Sequence, residues 1–196
     1  MSVKKHIVDT LKRLYNNNYI SIRDGNVSFK PKNENFFYIS AGGVKKNEIN
    51  DDQILKVDFN DERLIYDKNY KYQPSREIYM HSALQIDKKY FDKDTFVVHA
   101  HPPNIISYIG LNQSNELNQI KSVFPELNVG NIGKNVKYFE AGSKELANNC
   151  YSCLINNDIV GMERHGSLSI GHDIDKIFED IETLEYYIDI KNKSKY

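Results

Sequence analysis

The chain has 196 residues, of which 40% are hydrophobic and 27% are charged, and both fractions are ordinary for folded globular domains. A chain of this length can bury one substantial core, so we predict a single domain over residues 1–196. The formal net charge of −1 argues against a dedicated nucleic-acid binder, which needs a basic surface. The N-terminal segment is charged and the sequence has no long apolar run, so we predict no signal peptide and no membrane span. Two cysteines imply no disulfide framework, so we expect a cytoplasmic protein.

Helical and strand patterns alternate irregularly along the first half of the chain. Apolar residues from Val3 to Leu14 recur every three or four positions and predict an amphipathic opening helix that ends in the asparagines 16–18. Three short strands of β-branched and aromatic residues are predicted next, at 28–30, 36–40 and 54–59. A helix is then predicted from Ser75 to about Ile86, with Ser75 as its N-terminal cap.

The second half continues this irregular alternation. Phe96, Val97 and Val98 form a β-type run that leads straight into His99. Apolar residues at helical spacing predict a last helix that Asp173 opens. The remaining predicted elements are two helices at 103–109 and 143–154 and two strands around 159–160 and 168–170. Such a mixture favours an α/β fold of two or three layers.

Three histidines form the most informative pattern in the sequence. His99 and His101 stand at positions i and i+2 of an extended run, so both can point to the same face and reach one metal ion. His165 follows another predicted strand and precedes Gly166, which lets the backbone turn closely around a site. Three imidazoles with an open fourth position are the ligand set of a catalytic zinc ion.

Other interpretations of these residue types stay open at this point. An isolated His-x-His pair is more often incidental than metal-binding, and cupin-type metalloproteins also use it. Cupins place a Glu a few residues later, whereas His101 is followed by Pro-Pro-Asn-Ile-Ile-Ser. Cys150 and Cys153 form a C-x-x-C pair late in a predicted helix, whereas redox pairs begin at a helix N-terminus. With no second pair to complete a zinc site, we interpret them as buried, inert thiols.

Seven short motifs stand along the chain in a fixed order. They are Gly25-Asn26-Val27-Ser28, Ser40-Ala41-Gly42-Gly43, Pro74-Ser75-Arg76-Glu77 with His81 four residues on, His99-Ala100-His101-Pro102, Pro125-Glu126-Leu127, Ala141-Gly142-Ser143 with Glu145-Leu146-Ala147, and His165-Gly166 with Gly171. In this order and at these distances the motifs resemble the class II aldolase/adducin family over nearly the whole chain. Members of this family include fuculose-phosphate aldolase and related sugar-phosphate lyases.

The resemblance implies a three-layer α/β/α fold with a central, mainly antiparallel sheet, assembled as a homotetramer with active sites at subunit junctions. It implies one zinc ion per chain, held by His99, His101 and His165, with Glu77 as the catalytic acid/base. The implied reaction is retro-aldol cleavage of a small phosphorylated ketose, in which zinc stabilises the enediolate as a Lewis acid. His81 is interpreted as a packed or hydrogen-bonding residue rather than a ligand.

The resemblance also implies an anion site. Asn26, the Gly42-Gly43 turn and Ser75 at a helix N-terminus would give donors to a phosphate. Arg76 stands where a second Ser is common in the family, and its guanidinium can clamp a phosphate or a carboxylate. The candidates for a family tyrosine that helps to protonate the intermediate are Tyr186, Tyr187 and Tyr196.

Related reactions remain alternatives to aldol cleavage. A metal-dependent decarboxylase, epimerase or dehydratase would use the same metal site on a phosphorylated sugar acid or ketose. A non-catalytic scaffold, as in the adducin branch that has lost metal ligands, is a further alternative. The presence of all three histidines and of Glu77 counts against the scaffold.

Overall fold

A computed structural model describes residues 2–61, 63–110 and 115–194 of the chain. Its helices are α1 Val3–Asn16, α2 Ile78–Gln85, α3 Pro103–Gly110, α4 Ile120–Val123, α5 Lys144–Leu154 and α6 Ile174–Lys193. Its strands are β1 Asn26–Lys30, β2 Phe36–Ser40, β3 Ile54–Asn60, β4 Arg63–Ile65, β5 Thr95–Ala100, β6 Ile159–Met162 and β7 Gly166–Gly171.

The seven strands form one sheet in the order β4-β3-β2-β1-β5-β7-β6. Each neighbouring pair of these strands runs antiparallel. β5 lies between β1 and β7, and all six of its residues are buried. On β5, His99 lies opposite Asn26 of β1 and Leu168 of β7. The polar end of β5 therefore sits in the interior of the sheet, where three segments distant in sequence meet.

Helices cover both faces of the sheet. The apolar stripes of α1, α3 and α6 pack on one face, together with Val27 and Val98. The buried residues of α2 and α5 pack on the other face, together with Val97 and Leu168. Val97 and Val98 face opposite layers because successive side chains of a strand alternate. This arrangement confirms the predicted three-layer α/β/α fold with an antiparallel sheet.

None of the helices in the described ranges has the length and apolar character needed to cross a membrane.

The predicted start of helix α2 and its predicted N-terminal cap were wrong, and one short strand was missed. Helix α2 begins at Ile78 rather than at Ser75, and Ser75 does not cap it. The backbone N–H of Ser75 donates to the Ser40 carbonyl at 3.2 Å, which ties Ser75 to the end of β2. The Ser75 hydroxyl accepts from the Glu77 N–H at 3.2 Å within a turn that precedes the helix. Strand β4 was not predicted, because three residues are too few to show an alternating pattern.

Candidate active site and metal centre

The three predicted metal ligands converge at one end of the sheet. His99 is the fifth residue of β5 and is buried. His101 lies just beyond the strand, where its backbone N–H donates to the Tyr19 carbonyl at 2.8 Å. His165 lies in the β6–β7 turn after Arg164, whose φ of 57° is left-handed. One ring nitrogen from each histidine lies within 4.8 Å of the other two.

Gly166 makes this convergence possible. A Cβ atom at this position would overlap the Ala100 carbonyl oxygen and would lie 2.9 Å from Cδ2 of His101. A residue with a side chain would therefore push β7 away from the end of β5. The predicted role of this glycine, a close backbone approach at the site, is confirmed.

Neighbouring oxygen atoms direct the lone pairs of two rings toward a common point. Nδ1 of His99 lies 2.9 Å from the Ser167 carbonyl oxygen, and because a carbonyl only accepts, Nδ1 carries the proton. Nε2 of His99 is therefore unprotonated, and it lies 2.9 Å from Nε2 of His101. On the far side of His101, Nδ1 lies 3.7 Å from a carboxylate oxygen of Asp24. A carboxylate at Nδ1 favours the same tautomer in His101.

The surroundings keep these rings neutral. Burial lowers the pKa of His99 well below its usual value, and the neighbouring His101 and His165 lower it further. Burial, followed by the effects of His101 and Arg76, lowers the pKa of His165 to about 4. A metal ion binds the neutral imidazole. Three neutral rings whose nitrogens converge fit a zinc-type ion with an open coordination position.

Glu77 stands beside the histidines with an unused acceptor. Its side chain is buried, Oε1 lies 3.9 Å from Nε2 of His165, and Oε2 is buried without a hydrogen-bond partner among the described residues. Burial raises the pKa of this carboxyl group, against the opposing effects of Arg76 and the Gly142 backbone. A buried carboxyl group with a raised pKa in a cleft is a candidate proton carrier.

A single open cleft of about 470 Å³ contains all of these groups. It is lined by every residue that the sequence assigned to the site, namely Asn26, Gly42, Gly43, Ser75, Arg76, Glu77, His99, His101 and His165. The predicted catalytic, metal and anion-binding residues therefore share one cavity.

Comparison with known proteins identifies the family. Residues 5–191 match the family described as the class II aldolase and adducin N-terminal domain. The chain belongs to this family. An L-fuculose phosphate aldolase of Methanococcus maripaludis is 30% identical over 174 residues, which cover 88% of this chain and 86% of that protein. An L-fuculose phosphate aldolase of Methanocaldococcus jannaschii is 28% identical over 184 residues, which cover 93% and 91% of the two chains.

Solved structures of the class II aldolase type share the fold. YgbL of Klebsiella pneumoniae superposes with a TM-score of 0.79 at 17% identity, over 99% of this chain and 91% of its own. A sugar-phosphate aldolase of Thermotoga maritima superposes with a TM-score of 0.77 at 22% identity, over 95% and 92% of the two chains.

The part of the cleft that the sequence predicts to bind an anion has fewer free backbone donors than the sequence suggested. The N–H of Gly42 donates to the Gln73 carbonyl at 3.1 Å, and the N–H of Ser75 donates to Ser40. Within the described residues, the backbone N–H groups of Gly43 and Arg76 donate to no other backbone group. Gly43 has a φ of 68°, and a Cβ atom there would have no neighbour within 4 Å. Among the described residues, the backbone N–H groups of Gly43 and Arg76 and the Ser75 hydroxyl proton are thus free to donate to a ligand.

Sequence reasoning missed three charged groups of the cleft, Arg23, Asp24 and Lys46. The guanidinium of Arg23 donates to the Gly43 carbonyl. Lys46 lines the cleft although it is only 1% exposed, and its Nζ donates to the Val44 carbonyl at 3.3 Å. Burial lowers the pKa of Lys46 to about 8. In sequence, Lys45 and Lys46 form an ordinary basic pair, so nothing marks one of them as buried. Asp24 faces His101, and its position directly before the Gly25-Asn26 motif was the one available signal.

Residues that the sequence set aside lie apart from the metal ligands. His81 is fully buried and hydrogen-bonds with other side chains, as predicted. Cys150 is buried in α5, where burial raises the pKa of its thiol, and neither it nor Cys153 is in a disulfide. Tyr186 and Tyr187 lie on α6 and do not line the cleft. Tyr196 is outside the described residues.

Proposed function

We propose that this chain is a zinc-dependent lyase that cleaves a carbon–carbon bond of a small phosphorylated ketose by retro-aldol chemistry. The observation that carries the proposal is a buried carboxylate oxygen of Glu77 beside three convergent, neutral imidazoles, since this oxygen has no hydrogen-bond partner in the described part of the chain. Two relatives at 30% and 28% identity are L-fuculose phosphate aldolases, which supports a phosphorylated sugar as the substrate class.

His99, His101 and His165 would hold one zinc ion. A zinc ion in this position supplies Lewis-acid stabilisation of negative charge on the oxygens of the reacting substrate. The hydrogen bond from His99 to the Ser167 carbonyl and the contact of His101 with Asp24 orient two of the rings before any ligand arrives. Such orienting contacts are typical of functional metal sites.

Glu77 would carry the proton. In retro-aldol cleavage a base removes the proton of the β-hydroxyl group, which stands on the carbon of the breaking bond that is farther from the carbonyl. This carbon leaves as an aldehyde, the bonding pair passes to the α-carbon of the carbonyl-bearing fragment, and a proton then returns to the α-carbon. Burial raises the pKa of Glu77, which brings it nearer to neutral pH and suits a group that first takes and then gives a proton.

The other end of the cleft would hold the phosphate. Gly43, Arg76 and the Ser75 hydroxyl offer unused donors, and the Asn26 amide lines the same space. Lys46 adds a buried ammonium that no carboxylate contacts within 4.0 Å in the described part of the chain. This excess of donors and positive charge suits a dianion.

Arg76 supports one alternative substrate. Its guanidinium belongs to the same cleft and matches a carboxylate as well as a phosphate. A phosphorylated sugar acid would use both kinds of anion site. Its decarboxylation or epimerisation is therefore the second candidate reaction.

The proposed enzyme is a cytoplasmic homotetramer. The cleft of the single chain is open to solvent on one side, and a neighbouring subunit that covers it would exclude water from the reaction. Sedimentation equilibrium of the purified protein should give the mass of four chains. A stable and fully active monomer would contradict this part of the proposal.

A substrate screen tests the reaction directly. The zinc-loaded protein should be offered phosphorylated ketoses and phosphorylated 3-oxo acids, while triose phosphate, aldehyde and carbon dioxide are measured. Release of an aldehyde together with dihydroxyacetone phosphate supports the lyase. Carbon dioxide without aldehyde would select the decarboxylase instead, and inactivity of the zinc-loaded protein on every compound would count against both.

A further inference from the structure

A chain of buried side chains links the sheet core to the anion end of the cleft. Nε2 of Gln85 donates to the Thr95 carbonyl at 3.2 Å and to the Ser28 hydroxyl at 2.9 Å. The Ser28 hydroxyl lies 2.7 Å from Nδ1 of His81, and Nε2 of His81 contacts Oδ1 of Asn26. Ser28, His81, Gln85 and Thr95 are fully buried, and Asn26 is 5% exposed.

Two regular spacings build this chain. Asn26 and Ser28 stand at i and i+2 of β1, so both side chains point to the same face of the sheet. His81 and Gln85 stand at i and i+4 of α2, the helix that packs over that face. Each helix residue therefore lies above a strand residue, and the four side chains form one continuous path.

The protons in this hydrogen-bonded chain of side chains all point the same way, and the Thr95 carbonyl at the end farther from the cleft determines the direction. The Thr95 carbonyl only accepts, so the Gln85 amide must present its NH₂ group there and to Ser28. Ser28 then accepts from Gln85 and gives its own proton to Nδ1 of His81. If Nδ1 of His81 were the donor to Ser28 instead, the Ser28 hydroxyl proton would have no acceptor among the described residues. A neutral His81 with an acceptor Nδ1 carries its proton on Nε2 and donates it to Asn26.

The last link decides what Asn26 presents to the cleft. Because Oδ1 of Asn26 accepts from His81, its Nδ2 group is directed elsewhere, and it makes no hydrogen bond to the described residues. Asn26 lines the cleft directly opposite His99 in the sheet. A reversed amide would present an oxygen, which repels an anion, in place of a donor.

We propose that His81 is a positioning residue that holds the amide of Asn26 with its NH₂ group toward the anion end of the cleft. The ligand class is a phosphate or phosphate ester, and this assignment rests on the proposed function. Burial lowers the pKa of His81 to about 3, so the ring stays neutral and the direction of the chain is fixed throughout the neutral range.

The first test reads the tautomer of His81 and does not depend on any ligand. In the zinc-loaded protein with ¹⁵N-labelled histidine, long-range ¹⁵N–¹H correlation spectra distinguish Nε2–H from Nδ1–H rings, and His81→Gln assigns the signal. The Nε2–H form is expected. An Nδ1–H or a doubly protonated ring would reverse the chain and overturn the proposal.

The second test is a double-mutant cycle with inorganic phosphate as the probe, measured by calorimetry on the zinc-loaded protein. Asn26→Ala and His81→Leu should each weaken phosphate binding by about 10- to 100-fold, the value of a hydrogen bond to a charged group. The double variant should be no weaker than Asn26→Ala alone, because His81 acts through Asn26. Additive losses would show a merely structural role for His81 and overturn the proposal.

Two further variants complete the design. His81→Gln places an amide donor near the position of Nε2 and should restore phosphate binding to within about threefold, by the same hydrogen-bond argument. Ser82→Ala is the matched control on α2, because the Ser82 hydroxyl donates to Tyr79 and takes no part in the chain. Zinc content and secondary structure are measured for every variant, so that a misfolded protein is recognised. If the wild-type protein binds no phosphate, the phosphate cradle of the proposed function fails, and the tautomer still decides the role of His81.

Discussion

The metal corner and the anion cradle share one cleft but are built differently. We define the metal corner as His99, His101, His165 and Glu77, and the anion cradle as Asn26, Gly42, Gly43, Ser75, Arg76 and Lys46. The ligands of the metal corner lie at the ends of paired strands, and the orienting partners of its rings are largely in place. The cradle comes from three chain segments, and the backbone N–H groups of Gly42, Lys46 and Ser75 already donate to carbonyl groups of the protein.

This difference in construction predicts how the metal corner and the anion cradle respond to amino-acid substitutions. In the proposed function, each side chain of the metal corner supplies one ligand or proton carrier that no other residue can replace. The cradle shares its task among several donors, so the loss of one donor leaves the others in place. We therefore expect all-or-none effects in the metal corner and graded effects in the cradle.

The largest effect is expected from the histidines. Replacing His99, His101 or His165 singly by Ala should reduce the zinc content from close to one ion per chain to nearly none, because two imidazoles rarely retain a catalytic zinc ion. Turnover should fall to background. Inductively coupled plasma mass spectrometry on the purified variants measures the metal. Cys153→Ala is the control and should keep its zinc, whereas loss of metal in that variant would reassign the site.

The next largest effect is expected from Glu77→Gln. The amide has nearly the same shape but no useful basicity at neutral pH, so turnover should fall by about 10²–10⁴-fold. Zinc content, oligomeric state and phosphate affinity should stay as in the wild type. These are measured by steady-state kinetics on the substrate found in the screen, alongside metal analysis and calorimetry. Near-normal turnover of this variant would remove Glu77 from the mechanism even with the metal site intact.

Smaller and graded effects are expected in the cradle. Ser75→Ala and Lys46→Met should each raise KM by about tenfold and leave much of kcat, because an anion contact is made equally in the ground and transition states. Lys45→Met is the matched control, since the neighbouring Lys45 is exposed and pairs with Glu48 at 3.4 Å. A fall in kcat with unchanged KM would place Lys46 at the reacting atoms instead.

The smallest expected effect is a change in how the unfolding free energy depends on pH. His81 has a folded-state pKa of about 3, below its unfolded value near 6.5. The contribution of the neutral ring to the unfolding free energy is therefore complete above pH 6.5 and is lost as the pH falls toward 3. Between pH 7.5 and 5.5 the wild type should lose about 1 kcal/mol more unfolding free energy than His81→Gln, at about 1.4 kcal/mol per pH unit below 6.5. Urea unfolding of both proteins under the same metal conditions measures this difference. Equal losses would mean that His81 is not held neutral.

Much of the metal corner was predictable because its signals are local. The spacing of His99 and His101 on a β-type run already placed two rings on the same face, and Gly166 marked the close approach of a third segment. The helical stripes and strand runs likewise predicted the layers. Such periodicities reflect which side of an element meets the core, and this depends on residues a few positions apart.

Other features depended on contacts between distant segments. Ser75 had the pattern of a helix cap, but its backbone joins the end of β2 and the helix begins at Ile78. Lys46 resembled its exposed neighbour Lys45 until folding buried it at the cleft. Ser75 donates to Ser40, and the backbone N–H of Lys46 donates to the Ile22 carbonyl at 2.8 Å. Both partners lie more than 20 positions away in sequence, so no local pattern records these contacts.

The sequence by itself predicted the fold class, the family and the roles of the three histidines and Glu77, because these predictions use residue type, spacing and the order of motifs along the chain. Only the tertiary structure decided which donors of the cleft are free, where Lys46 lies, and how His81 orients the Asn26 amide. The physical reason is that hydrogen bonds are exclusive and directional. Whether a donor is available therefore depends on every neighbour that could take its proton, and those neighbours meet only when the chain is folded.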